Sequence, residues 1–146
     1  MMCRCGYSFA LLALVCLAAA GCGRSGPEVV EIRGKVTFGG GPWPAKGAFY
    51  FTPTNPATGM PARPARADFD TDGSFVVTSF VDGDGLVPGE YRVAVECWAN
   101  PPDMQSPGPV RSYVPKRYQT AATSDLVVEI EPGAGTTSVE FDVPKQ

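Results

Sequence analysis

Few residues in this chain are of a type and spacing that could do chemistry. The 146 residues include no histidine. That removes the commonest general base, the commonest transition-metal ligand and the usual serine or cysteine triad. None of the 15 acidic residues is spaced as a working carboxylate pair. Five cysteines remain, and two of them, Cys22 and Cys97, stand in positions that ask for an account. Asp68-Phe-Asp-Thr-Asp-Gly73 is the one metal-like constellation. It sets Asp68, Asp70 and Asp72 at alternate positions before a glycine, as the first half of a calcium loop does. The twelfth position is Ser79, where calcium needs a bidentate glutamate, and the flanks alternate like strands. A hairpin turn whose Asp side chains bond their own backbone accounts for the same residues. No resident metal or cofactor is therefore expected.

Cys22 is positioned by the segment in front of it. Met1 to Tyr7 carries a single charge, Arg4, and an apolar run from Phe9 to Ala20 follows, closed by Gly21-Cys22. A positive end, a short apolar stretch and small residues before a cut are the marks of a secretory signal. The run falls short of the roughly 20 apolar residues a membrane helix needs. Leu17-Ala18-Ala19-Ala20-Gly21-Cys22 resembles the bacterial lipobox, with Ala19 where leucine is commonest. That resemblance implies cleavage before Cys22, a thioether-linked diacylglycerol on its sulfur and an acyl chain on its new amino group. Two or three such chains hold a protein at a membrane firmly, where one holds only marginally. The competing account is an ordinary signal peptide with casual cysteines at Cys3, Cys5 and Cys16. Gly23 stands where aspartate would be the usual inner-membrane retention signal, which favours the outer membrane of the cell envelope.

These segments divide the chain into a cleaved signal (1–21), a lipidated tether (22–28) and one domain (29–144). Losing Arg4 with the signal makes the mature chain one unit more negative than the −3 of the full sequence. No basic stripe exists to attract nucleic acid. Three cysteines leave with the signal and Cys22 is acylated, so Cys97 has no partner for an intrachain disulfide. It shares a strand face with Tyr91, Val93 and Val95, where a cysteine acts as a small apolar residue.

The mature chain alternates with period two. Val30, Ile32, Val36 and Phe38 share one face of a first strand. Six more are expected: Ala48–Thr52, ended by Pro53; Ala65–Phe69; Ser74–Phe80, after an Asp-Gly turn; Gly89–Trp98; Leu126–Glu131; and Thr137–Val143. Short strands with regular turn signals and no helix argue for an all-β sandwich or small barrel. Residues 99–123 read as Pro-rich and irregular.

Ile32-Arg-Gly-Lys-Val-Thr-Phe38 with Gly41-Pro-Trp-Pro44, Ala67-Asp-Phe-Asp-Thr-Asp-Gly-Ser-Phe75 and Val87-Pro-Gly-Glu-Tyr-Arg-Val-Ala-Val95 resembles carboxypeptidase-regulatory-like domains in motif order and spacing. Val114-Pro-Lys-Arg-Tyr118, Thr123-Ser-Asp-Leu126 and Phe141-Asp-Val143 are similar to small planctomycete-type lipoproteins that carry such a domain. The resemblance implies a seven-stranded transthyretin-like (prealbumin-like) β-sandwich and no catalysis. The departures are the stretch Asn55–Arg66 and the insertion Trp98–Arg111.

Trp43, Trp98 and Tyr113 lie in or beside loops, either facing a ligand or capping the ends of the core. Pro101–Pro115 suits either an aromatic groove on a partner or cover for an edge strand. The expected function is a non-enzymatic, membrane-anchored domain supporting protein or envelope interactions. The alternative is a carbohydrate- or peptide-binding module.

Overall fold

The computed structural model describes residues 26–145. The signal segment and Cys22 lie outside the described residues. Nine strands form in chain order: β1 (Ile32–Phe38), β2 (Gly47–Pro56), β3 (Ala65–Phe69), β4 (Ser74–Val76), β5 (Gly89–Glu96), β6 (Trp98–Asn100), β7 (Arg111–Ser112), β8 (Val127–Ile130) and β9 (Thr137–Val143). A 3-10 turn, Lys116–Tyr118, is the one helical element among the described residues.

Seven strands join in one mixed sheet in the order β8-β5-β2-β3-β4-β1-β9, and β6 and β7 form a separate two-stranded ribbon. All pairs in the large sheet are antiparallel except β1 with β9. The last two strands of the sheet thus sit at its opposite edges. Seven residue steps separate Ile130 from Thr137, a reach of about 25 Å at most. A flat sheet would hold those two edges about 29 Å apart, at some 4.8 Å per strand. The sheet therefore curls. Its inner faces meet through Phe49 on β2, whose ring lies 5.0 Å from Phe75 on β4 and 6.2 Å from Phe141 on β9.

Alternation fills that interior. Ile32 and Val36 of β1, Phe49 and Phe51 of β2, and Tyr91, Val93 and Val95 of β5 are all buried. The Tyr91 hydroxyl donates to the Val87 carbonyl at 2.7 Å, so its polar end is satisfied inside the core. Gly73 closes the β3–β4 hairpin at φ +78°, with its carbonyl accepting from Val36 N at 2.9 Å. A side chain there would collide with the Val36 carbonyl, which is why the turn needs glycine.

Three strand ends differ from the sequence expectation by two residues or more. β2 does not end at Pro53 but continues to Pro56, with a bulge between Pro53 and Asn55. A bulge is where a strand tolerates a residue without an N–H. Thr54, the bulged residue, donates its hydroxyl to Glu90. β4 stops at Val76 instead of Phe80. Val77 N still bonds to its register partner Ile32 O, and Thr78 exchanges bonds with Arg66 on β3, but Ser79, Phe80 and Val81 N turn to the Asp84 carboxylate. β5 ends at Glu96, opposite Ala48, near the start of β2. Beyond that rung the chain starts a new ribbon at Trp98, so residues 99–123 are not wholly irregular.

Candidate functional site

Strand direction gives the domain two poles. β1, β3, β5 and β9 run one way, and β2, β4 and β8 run the other. One pole gathers the chain entry before β1 and the loop after β4. There Val30 pairs with Leu86, Thr137 N bonds to Glu31 O, and Gly133 N bonds to the Glu28 carboxylate. The opposite pole gathers the end of β1 and the end of β5. There Trp43 donates its indole N–H to Val36 O at 3.1 Å, and the Cys97 thiol lies 3.4 Å from the Ala45 carbonyl.

The ribbon β6–β7 rises from this second pole as an arm. Its base is pinned by the Cys97 carbonyl, which accepts from Tyr113 N at 2.9 Å and from the Ser112 hydroxyl at 3.1 Å. Val114 and Tyr118 are buried below it, and Gln119 donates to Val114 O at 2.7 Å. Every residue from 100 to 111 is exposed, Met104 at 97% and Val110 at 53%. Pro101, Pro102, Pro107 and Pro109 restrict the backbone of the tip. Asp103 accepts from Gln105 N at 2.8 Å, a local turn that leaves Met104 outermost. The cover for an edge strand expected of Pro101–Pro115 is not seen over residues 101–111, which stay exposed, whereas Tyr113 and Val114 pack into the core.

Of the three loop aromatics, Trp43 has no face free for a ligand. It is 3% exposed and its ring lies 4.8 Å from Phe38 and 4.7 Å from Phe69. Trp43 closes the core at the arm pole, so the ligand-facing alternative is corrected for this residue. Trp98 and Tyr113 are partly buried at the base of the arm, Tyr113 packing against the core. Trp98 is the member of the three that combines a loop aromatic with the arm itself, pairing with Ser112.

Asp68, Asp70 and Asp72 do not converge on a common point. Asp68 takes the Arg66 guanidinium at 2.7 Å, and Asp70 takes Thr71 N at 2.8 Å and Lys46 Nζ at 3.1 Å. Asp72 accepts from Ser74 N at 3.1 Å and from the Ser74 hydroxyl. Those turn bonds hold the carboxyls of Asp70 and Asp72 below the usual carboxylate range, the Thr71 amide acting most on Asp70 and the Ser74 hydroxyl on Asp72. Among the described residues no three His, Cys, Asp or Glu side chains come together as a metal site. Cys97 is fully buried, and burial pushes its thiol up from the ordinary value.

A shallow groove of about 660 Å³ runs over β4 between Arg33 and Arg66. Both cations are already engaged: Arg33 pairs with Glu31 at 2.6 Å, and Arg66 pairs with Asp68 while lying 5.4 Å from the Tyr50 ring centroid. The groove thus presents neutralised guanidiniums to an incoming anion.

The tether pole holds a larger cleft, about 910 Å³, between residues 26–29 and the loop 80–84. Phe80 and Val81 are 46% and 69% exposed. One face of Phe80 is covered by the Arg63 guanidinium at 4.6 Å, and Arg63 in turn donates to Ser79 O at 2.8 Å. Asp84 accepts from the amides of Ser79, Phe80 and Val81, and the Ser79 hydroxyl donates to Gly85 O at 2.6 Å. The loop is therefore tied down by hydrogen bonds while it carries two exposed apolar side chains. Sequence reasoning missed it because the expected strand was carried through Phe80, which left no loop before Asp82. The signal that could have found it is Asp82-Gly-Asp-Gly85, where a second aspartate in a turn is placed to cap the amides before it.

Among the described residues no helix is long and apolar enough to cross a membrane. Compared with known protein families, with curated proteins and with solved structures, the chain matches none.

Proposed function

We propose that this chain is a non-enzymatic lipoprotein whose domain contacts another envelope component through the β6–β7 arm. In this reading Cys22 carries the acyl chains, and the curled seven-stranded sheet is a transthyretin-like (prealbumin-like) sandwich that serves as a stiff spacer. The single observation that carries the reading is the arm, an uninterrupted exposed segment from 100 to 111 on a pinned base. Exposed Met and Val beside prolines suit docking into an apolar groove at small entropic cost, because the tip has few backbone states to lose. A sequence without histidine supports the non-enzymatic side of the reading.

The test replaces residues 101–110 by an Asn-Gly turn and purifies both forms from solubilised membranes. The expected result is one stoichiometric partner with the native chain and none with the variant, at unchanged thermal stability. An identical set of partners for both forms contradicts the proposal. A second reading, recognition of a glycan or peptide, rests on Trp98 at the base of the arm. Glycan-array binding that vanishes in Trp98→Ala but survives loss of the tip favours it.

A further inference from the structure

We infer that the loop Phe80–Gly83 is a membrane-contacting foot that seats the domain on the bilayer surface from which Cys22 tethers it. The inference rests on the lipid anchor proposed above and adds an orientation to it. Four peptide links separate Cys22 from Gly26, which bounds their Cα separation at about 14 Å. Acyl chains on Cys22 hold that residue at the lipid–water interface. Gly26 to Val29 line the same cleft as Phe80 and Val81. Wherever the tether ends, these two exposed apolar side chains are therefore carried down with it.

The chemistry of the loop suits lipid more than water. Phe80 and Val81 stay exposed although the neighbouring Val77 and Leu86 are fully buried. Asp84 spends its carboxylate on three loop amides, so those amides need no water and can enter a poorly hydrated layer. The Arg63 guanidinium, stacked on Phe80, sets a cation beside the loop, where a lipid phosphate would be met. Glu31 is held by Arg33, and the remaining acids, Glu28 and Asp82, leave this pole negative. The fitting surface is a zwitterionic bilayer, and an anionic one is disfavoured. The arm lies at the other pole, so a seated foot points Met104 away from the membrane.

The experiment uses the full lipidated chain in phosphatidylcholine vesicles. Val81→Cys or Met104→Cys carries an environment-sensitive dye. Both sites are well exposed and Cys97 is buried, so labelling is selective and folding is spared. The expected result is that the Val81 dye shifts to the blue on flotation with vesicles and loses quenching by aqueous iodide. The Met104 dye does neither. Protein that floats while its Val81 dye stays as iodide-accessible as Met104 overturns the foot and leaves the anchor standing. Protein that does not float overturns the anchor and the foot together. A blue shift at Val81 that appears without vesicles and grows with protein concentration assigns the loop to a second copy, and also overturns the inference.

Discussion

The two poles expose apolar residues in opposite ways. At the tether pole, Phe80 and Val81 ride on a loop whose amides are tied to Asp84 and whose aromatic ring is covered on one side by Arg63. At the arm pole, Met104 and Val110 ride on a segment bonded firmly at its base and held at its tip by one local turn and its prolines. A rigid, shallow apolar loop matches a broad surface that need not be specific. A projecting tip matches a concave partner whose shape selects it. The difference teaches that exposed hydrophobic residues on one small domain need not share a purpose, and that the hydrogen bonds beneath them tell the cases apart.

The poles are coupled only through the core between them, and the largest effect should come from breaking it. Phe49→Ala removes the ring that touches Phe51, Phe69, Phe75 and Phe141. Its expected cost is about 5 kcal/mol, the upper end for an aromatic lost from a core. Chemical denaturation should show both poles melting in one transition. Separate transitions would mean the poles are independent units.

Next in size is the contrast between two tryptophans near the arm. Trp43→Ala should cost about 3 kcal/mol, because a buried, stacked and hydrogen-bonded ring is lost. Trp98→Ala, at a half-buried site, should cost about 1 kcal/mol. Equal losses in urea midpoints would place Trp98 in the core as well. Smaller still is the reactivity of Cys97, whose thiol is raised by burial. In the mature lipidated chain, where the Cys22 sulfur is a thioether, Cys97 should alkylate slowly in the native domain and rapidly in denaturant. Equal rates would show that the base of the arm opens freely.

The smallest effect concerns the β3–β4 hairpin. Asp70 and Asp72 have their carboxyls lowered by turn hydrogen bonds. A carboxyl lowered on folding contributes stability above its unfolded value, and that contribution is lost as pH falls through its folded value. Melting temperature should therefore drop slightly more on acidification below about pH 4 in the native chain than in Asp72→Asn. Parallel acid profiles would mean the turn bonds contribute nothing measurable.

Much of the large sheet was legible from alternation alone. All seven of its strands were expected near their observed places, because the buried positions Ile32, Val36, Ala67, Phe69, Val93, Val95, Val128 and Ile130 fall at period two. Strand order was not legible, since the parallel pairing of β1 with β9 is a contact across more than 100 residues with no local mark. Trp43 stayed open between capping the core and facing a ligand because it sits between prolines in a turn, and the stacked Phe38 and Phe69 rings that bury it leave no local mark. The arm read as irregular cover for a similar reason. Its ribbon depends on the Cys97 carbonyl turning outward after the last β2 rung, and neither residue type nor spacing records that turn.

Site-specific photo-crosslinking in intact cells tests the proposed polarity most directly. A photoreactive side chain is placed in the lipidated chain at Met104 in one variant and at Val81 in another. The account predicts a discrete protein adduct from Met104 and lipid adducts from Val81. Protein adducts from Val81 with none from Met104, or the same adducts from both, would contradict it.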